Sequence, residues 1–228
     1  MSDINLWYLR SLDFFKRFSK EDVESLTREA HQVKIDHRSP LAIRQQGVYL
    51  VLTGRIKLYR QVSETVRMLD SVLEVGDLFG GIHTADVSYE LVPIQGATIL
   101  LIEKEKFLND ISNPKLYLEV VQKLEERQRT LQARLDSLIF KDARTRIIET
   151  MVNLCHDHAV DCTHGFGLDL SITQEDIAQL VCVSRQVVNK VFRELVKEDV
   201  MHKNKGCYCI RSKESLLDLV NLKQAISG

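Results

Sequence analysis

Tyr117, Val121, Leu124, Gln128, Leu131, Leu135 and Leu138 are spaced 4, 3, 4, 3, 4, 3, and most positions between them are charged or polar. Such an a/d seam, sustained for about three heptads, forms a narrow apolar stripe along one side of an α-helix. One amphipathic helix cannot bury that stripe by itself. Either the stripe packs on the remainder of its own chain, or it pairs in parallel with the same stripe of a second copy. The narrowness of the stripe favours the dimer. Gln128 is the seam's polar member, placed to fix register or to touch a ligand at the dimer axis.

The period changes on both sides of this helix. Residues 1–30 read as helical: Leu9, Leu12, Phe15 and Phe18 recur at helical spacing, and Ser19 with Asp22 forms a capping-box pattern into Val23, Leu26 and Ala30. From about 31 to 108 the runs are short and β-rich, as in residues 48–52, 55–59 and 98–102, with Gly47, Gly54, Gly76, Gly80, Gly81 and Gly96 as punctuation. That pattern predicts an antiparallel barrel or double-sheet roll. A second helix is expected over about 142–157, carrying Ile147, Ile148, Met151, Val152 and Leu154. It is followed by an expected loop from Asp157 to Gly167, two short helices and a β-hairpin around Gly206. The fold class is therefore α+β, and 228 residues have room for two domains. The working division is a roll at 1–112, a dimerisation helix at 113–140 and a C-terminal domain at 141–228.

Charge gives no global clue to a partner, because 31 basic residues face 32 acidic ones. A nucleic-acid site must then concentrate its positive charge on one element. The start of the chain lacks a basic segment followed by an apolar run, and no apolar stretch approaches the ~18 residues of a membrane span. A cytoplasmic protein with no membrane partner is expected. The five cysteines, Cys155, Cys162, Cys182, Cys207 and Cys209, are an odd number, which argues against a disulfide scaffold in a reducing compartment.

Residues 173–195 are the most informative stretch in the chain, and their basic residues Arg185, Lys190 and Arg193 all fall on its second helix. Thr173 can cap a first short helix with Asp176 three residues on, and Ala178 is small where that helix must approach the next. Ser184 can cap the second helix. On that helix Val187, Val188, Val191, Phe192 and Leu195 share an inward face, while Arg185, Gln186, Asn189, Lys190 and Arg193 share an outward one. The outward set is what major-groove reading requires: Arg bonds guanine O6 and N7 in bidentate fashion, and Gln or Asn does so with adenine. Lys203 and Lys205 flank Gly206 in the expected hairpin, where they can meet phosphates. The candidate DNA-contacting set is thus Thr173, Gln174, Ser184, Arg185, Gln186, Asn189, Lys190, Arg193, Lys203 and Lys205, with double-stranded DNA as the partner.

Several motifs together resemble the cyclic-AMP receptor protein and fumarate-nitrate reduction regulator (CRP/FNR) superfamily. They are Leu52-Thr53-Gly54-Arg55-Ile56-Lys57-Leu58, Gly76-Asp77-Leu78-Phe79-Gly80, Asp142 with Arg146-Ile147, and Val183-Ser184-Arg185-Gln186-Val187-Val188. Each is modest alone, but their order and spacing cover nearly the whole chain. The resemblance implies an N-terminal antiparallel β-roll of the cyclic-nucleotide-binding type (a double-stranded β-helix), a long dimerisation helix and a C-terminal winged helix-turn-helix. It also implies a homodimer, transcription regulation and RNA polymerase as a partner. One member of the family is a standing example of helix-turn-helix docking, and the docking geometry used below is that general one. By resemblance Arg185, Gln186 and Lys190 fall at base-contacting positions and Ser184 at a phosphate contact. The helix-turn-helix departs from the pattern in two places. Gln186 stands where many members have Glu, which changes the preferred base from cytosine towards adenine. Cys182 occupies a turn position where the family commonly has Gly.

The family's effector cassette is also altered. Cyclic-nucleotide binders carry a Glu for the ribose and an Arg followed by Ser or Thr for the phosphate. Here Phe79, Gly80, Gly81, Ile82 and His83, with Gln128, are the candidate pocket residues, and no Arg lies between Arg67 and Arg127. A buried phosphate would lack its bidentate, charge-assisted partner, so cyclic AMP is expected not to bind in the familiar way. A fumarate-nitrate-type iron–sulfur cluster needs N-terminal cysteines and is excluded, since none precedes Cys155. Haem ligation by His31, His37 or His83 competes with an ordinary surface or core role for isolated histidines. The group Cys155-His156-Asp157-His158 with Cys162 and His164 has metal-ligand residue types but matches no zinc spacing, and a solvated loop is the simpler reading. No metal ligands are assigned. Cys207 and Cys209 are the redox candidates, on one face of a strand and too far apart for an easy mutual disulfide. The remaining option is a sensor without a small ligand. Catalysis finds no support: the His-x-His pattern of a metal-dependent cupin, a Ser-His-Asp set, a P-loop and a dinucleotide fingerprint are all missing from the sequence.

Overall fold

The structure, a computed structural model, describes residues 6–36, 38–43, 45–63, 66–81, 88–162, 165–168, 172–204 and 207–212. At 6, 7 and 10 and within 155–168 and 203–207 the description extends to the backbone alone. The chain divides into two compact units, residues 1–130 and 131–228.

In the first unit, eight strands form two four-stranded antiparallel sheets. They are β1 (His31–Asp36), β2 (Leu41–Ile43), β3 (Gly47–Thr53), β4 (Ile56–Gln61), β5 (Arg67–Leu73), β6 (Leu78–Gly81), β7 (Tyr89–Pro93) and β8 (Gly96–Glu103). The orders are β1-β8-β3-β6 and β2-β7-β4-β5. The double-sheet roll expected from the glycine-punctuated runs is present.

Strands β3 and β8 carry near-continuous apolar runs because both of their faces are covered. Tyr49, Val51, Ile99 and Leu101 point between the sheets, towards Ile56, Leu58, Leu73 and Leu91. Leu50, Leu52, Leu100 and Ile102 point the other way, onto Leu9, Phe14, Phe15, Phe18, Val23 and Leu26. Those residues come from α1 (Leu6–Ser11), a 3-10 turn (Asp13–Phe15), α2 (Lys20–Thr27) and the links between them. A third helix, α3 (Lys104–Asp110), adds Phe107 to the same cluster. Gly54, at φ +81°, is fixed by crowding as well as by backbone: an added Cβ would lie 2.2 Å from the Gly96 carbonyl oxygen.

The long helix is α4 (Pro114–Phe140). It uses two faces. Leu116 is buried in the cluster beneath β3 and β8, and Val120 packs against it. Glu119 is buried beside them and keeps an ionic partner, Arg17, at 3.4 Å. Asp70 of β5 receives Arg127 from the helix at 3.0 Å and Arg60 at 3.6 Å. The heptad seam lies on another face, where Tyr117, Leu124, Leu131 and Leu135 remain between 50% and 62% exposed. Intrachain packing of this helix therefore occurs mainly on residues other than the seam, of which Val121 and Leu138 are half-buried.

The second unit contains the end of α4, then α5 (Ala143–His158), β9 (Ala159–Cys162), β10 (Gly165–Leu168), α6 (Gln174–Leu180), α7 (Arg185–Lys197), β11 (Met201–Asn204) and β12 (Cys207–Ile210). The expectation of a loop from Asp157 to Gly167 is corrected by β9 and β10. These strands join the hairpin in an antiparallel sheet of order β11-β12-β10-β9, with Phe166, Gly167 and Leu168 opposite Ile210, Cys209 and Tyr208. The outer backbone groups of β12 need partners, and β10 supplies them.

The start of α4 is tied to α2 through one carboxylate. The Asp22 amide donates to Ser19 Oγ at 3.1 Å, and the Ser19 amide donates to Asp22 Oδ2 at 3.0 Å, completing the capping box read from the sequence. Lys115 Nζ reaches Asp22 Oδ2 at 2.9 Å and Asn113 Nδ2 donates to Oδ1 at 2.9 Å. The Lys115 contact, followed by the Ser19 amide, holds this carboxyl well below the usual carboxylate range. A depressed folded-state pKa contributes stability above the ordinary value near 4, and that contribution is lost as pH falls through the lower folded value. Asp22→Asn is expected to destabilise the protein by about 1–2 kcal/mol at neutral pH, with the gap to the wild type closing only well below pH ~4. Urea melts across that range check it.

Candidate nucleic-acid interface

The local chemistry of residues 173–200 sets two helices at a tight turn. Thr173 opens α6 with a full capping box: the Asp176 amide donates to Thr173 Oγ1 at 3.1 Å, and the Thr173 amide donates to Asp176 Oδ2 at 2.9 Å. Ser184 opens α7 in extended conformation, its Oγ accepting the Val187 amide at 3.4 Å. Between them the Cys182 amide donates to the Gln179 carbonyl (3.3 Å) and the Val183 amide to the Ala178 carbonyl (2.9 Å). This is a Schellman ending, and it places Cys182 at φ +54° in the left-handed region. Helix α7 ends the same way, with Asp199 at φ +59°.

The faces divide as the sequence predicts. Ala178 is buried where α6 meets α7, and Val188, Val191, Phe192 and Leu195 are buried with it. Val187 is half-buried. Arg185, Gln186, Lys190 and Arg193 are exposed and Asn189 is half-buried. Thr173, Gln174, Arg185, Asn189 and Arg193 share one groove of about 910 Å³, along with Phe192, Lys197 and Tyr208. Gln186, Asn189, Lys190 and Arg193 share an adjacent one of about 480 Å³. Ser184 is exposed at the α7 cap. The backbone of Lys203 lies in β11, its side chain is outside the described residues, and so is Lys205.

Three arginines distant in sequence fix this head in place. Arg134, near the end of α4, donates through Nε and Nη2 to the Leu180 carbonyl at 3.1 and 2.8 Å. Arg146 of α5 donates to the Val181 carbonyl at 3.1 Å and to the Lys141 carbonyl at 2.9 Å. Both satisfy carbonyls that the end of α6 leaves without intrahelical partners, and both bring positive charge to a helix C-terminus. Arg144 reaches Glu194 at 3.2 Å and Glu198 at 2.8 Å on α7. The sequence reading gave none of these three a site role, although Arg146 stood in a family motif, and it missed Lys197 and Tyr208 as well. Lys197 was findable, since it continues the outward row of 186, 190 and 193. The other four depend on long-range packing.

The sensor candidates are less concentrated. Phe79 is buried, its ring stacked on Tyr49 at 5.2 Å, and Gly80 adopts φ +89° beside it. Gly81 lies in β6, and Gln128 is exposed on α4. Ile82, His83 and His37 lie outside the described residues. His31 is exposed with Nε2 3.3 Å from Glu103. Arg67 lies over the Tyr59 ring at 4.5 Å and pairs with Glu90, so both arginines that bracket the arginine-free segment are engaged in ion pairs. Cys209 is buried and Cys182 exposed. His164 and the side chains of Cys155, His156, Asp157, His158, Cys162 and Cys207 lie outside the described residues. Among the described residues no helix is long and apolar enough to cross a membrane.

Comparison with known proteins agrees with this geometry. Residues 145–219 match the Crp-like helix-turn-helix domain. The chain is 26% identical over 178 residues to the cyclic AMP receptor protein of Thermus thermophilus, covering 76% of this chain and 79% of that one. It is 24% identical over 170 residues to the global nitrogen regulator of a Nostoc species, covering 70% and 75%. Among solved structures, a mutant of CooA from Carboxydothermus hydrogenoformans superposes with a TM-score of 0.70 at 22% identity, covering 96% of this chain and 97% of that one.

The Cys182 conformation makes a direct test of the turn. A Cβ in the left-handed region costs about 1 kcal/mol relative to glycine, so Cys182→Gly is expected to stabilise the second unit by about that amount, read as a higher unfolding midpoint in urea. An unchanged or lower midpoint would contradict the turn geometry.

Proposed function

We propose that the chain is a transcription regulator of the CRP/FNR type, to which its helix-turn-helix and its relatives are similar, and that it acts as a homodimer on a pseudo-palindromic duplex. Each α7 enters one of two successive major grooves about 34 Å apart. The observation that carries this reading is the polar face of α7, gathered into continuous grooves with the capped start of α6. Arg185 takes guanine, Gln186 and Asn189 suit adenine, and Lys190 and Arg193 extend the contact surface along the helix. Thr173, Gln174, Ser184, Lys203 and Lys205 serve the phosphates. The protein works in the cytoplasm, acts on RNA polymerase at nearby promoters, and catalyses no reaction.

The dimer forms through the 117–138 seam, whose exposed leucines support the pairing. Its functional division is a roll at 1–112, a dimerisation helix at 113–140 and a reading domain at 141–228. The Thermus relative is named for cyclic AMP. This chain does not bind that ligand in the familiar way, because the segment that would grip the phosphate has no arginine. It binds DNA without a small effector.

Selection from random duplex DNA by the reduced protein, with no ligand added, is expected to enrich a two-fold symmetric site. Arg185→Ala should cost about 1–3 kcal/mol on that site and relax one base pair in each half; wild-type affinity and base preference would sink the assignment. Leu131→Glu places a charge in the seam of each chain and is expected to halve the mass measured by sedimentation. An unchanged mass would refute the seam.

A further inference from the structure

Tyr208 of β12 stands on the reading face without belonging to either reading helix. Its ring meets Phe192 of α7 edge-on, with centroids 4.8 Å apart at 75°. Its hydroxyl lies 2.8 Å from Gln174 Nε2 of α6. Both contacts sit in the groove that also holds Arg185, Arg193 and Lys197. From this placement, and resting on the DNA-binding reading above, we propose that the Tyr208–Gln174 pair is a DNA-backbone contact that grips a phosphate with neutral donors.

The chemistry follows from a count of protons. With the amide of Gln174 donating to Tyr208 Oη, the phenol keeps its own proton and the amide keeps a second N–H. With the amide turned round, the phenol donates to the amide oxygen and both amide N–H groups are left over. Either arrangement offers donors to the groove, and a phosphate oxygen, which only accepts, is the matching group on DNA. A hydrogen bond from a neutral donor to an anion is charge-assisted and stronger than a neutral pair. The ring contact and the Gln174 bond already hold the side chain, so little rotamer entropy remains to be lost on binding. The position on a strand flanking α7, rather than on its first turns, points to the backbone and away from base edges.

Tyr208→Phe removes the hydroxyl and keeps the ring on Phe192. In the full-length protein it is expected to weaken binding about tenfold, equally for the selected site and for an unrelated duplex. The dependence of log K on log salt should keep its slope, because no charge is lost, and the melting temperature of the free protein should stay near the wild type. Unchanged affinity overturns the proposal. So does a loss confined to one base pair of the site, which would make Tyr208 a base reader, and so does a loss that accompanies a lowered melting temperature, which would make it a structural brace. Arg185→Ala separates the two levels of inference. If it weakens the selected site while Tyr208→Phe does not, only the Tyr208 assignment falls; if neither variant alters binding, the DNA-binding reading falls with it.

Discussion

The carbonyls of Leu180 and Val181, at the end of a seven-residue helix, are the groups on which the reading face depends. A helix this short has few internal bonds to hold its direction, and its last carbonyls need outside donors. They receive guanidinium groups from Arg134 of α4 and Arg146 of α5. The same turn is closed from inside by the Cys182 and Val183 amides. The start of α7, and with it Arg185, Gln186 and Asn189, is thereby placed relative to the end of the long helix. A shift of α4 about its own axis would move the Arg134 donors against the Leu180 oxygen. That gives a physical route from the end of α4 to the start of α7, made of named hydrogen bonds.

The long helix meets two demands with different residues. Leu116, Glu119 and Val120 face the roll cluster, where Glu119 keeps its charge because Arg17 accompanies it. The seam runs along another face and leaves Leu124, Leu131 and Leu135 exposed. Removing those side chains from water at roughly 25 cal/mol per Å² is the driving force available to a second copy. The two faces do not compete, since three- and four-residue steps in two registers fit on one cylinder.

Charge is handled locally. A chain with a net charge of −1 offers no general attraction to DNA. Arg185, Lys190, Arg193 and Lys197 nevertheless line grooves on one helix, and the acidic Glu194, which lines the second groove, is paired with Arg144, as is Glu198. Such a surface attracts phosphate at short range and is screened with distance. In the roll, by contrast, the cations are spent internally: Arg60 and Arg127 share Asp70, and Arg67 is committed to Glu90 and the Tyr59 ring.

The sequence by itself determined whatever depends on near neighbours. The caps at Ser19, Thr173 and Ser184, the inward and outward faces of α7, the short β-rich runs that form β3 and β8 and the heptad seam are all periodicities or spacings within a few residues. Side-chain geometry on one helix or strand fixes them, so pattern alone reveals them. Tertiary structure decided what joins distant segments. The carbonyl bonds of Arg134 and Arg146 span 46 and 35 residues, and the Gln174–Tyr208 bond spans 34. The strands β9 and β10 were hidden because short polar-flanked segments have little propensity of their own and become strands only when β12 offers its edge. Local rules chose which residues face outward; the folded chain chose which of them share a groove.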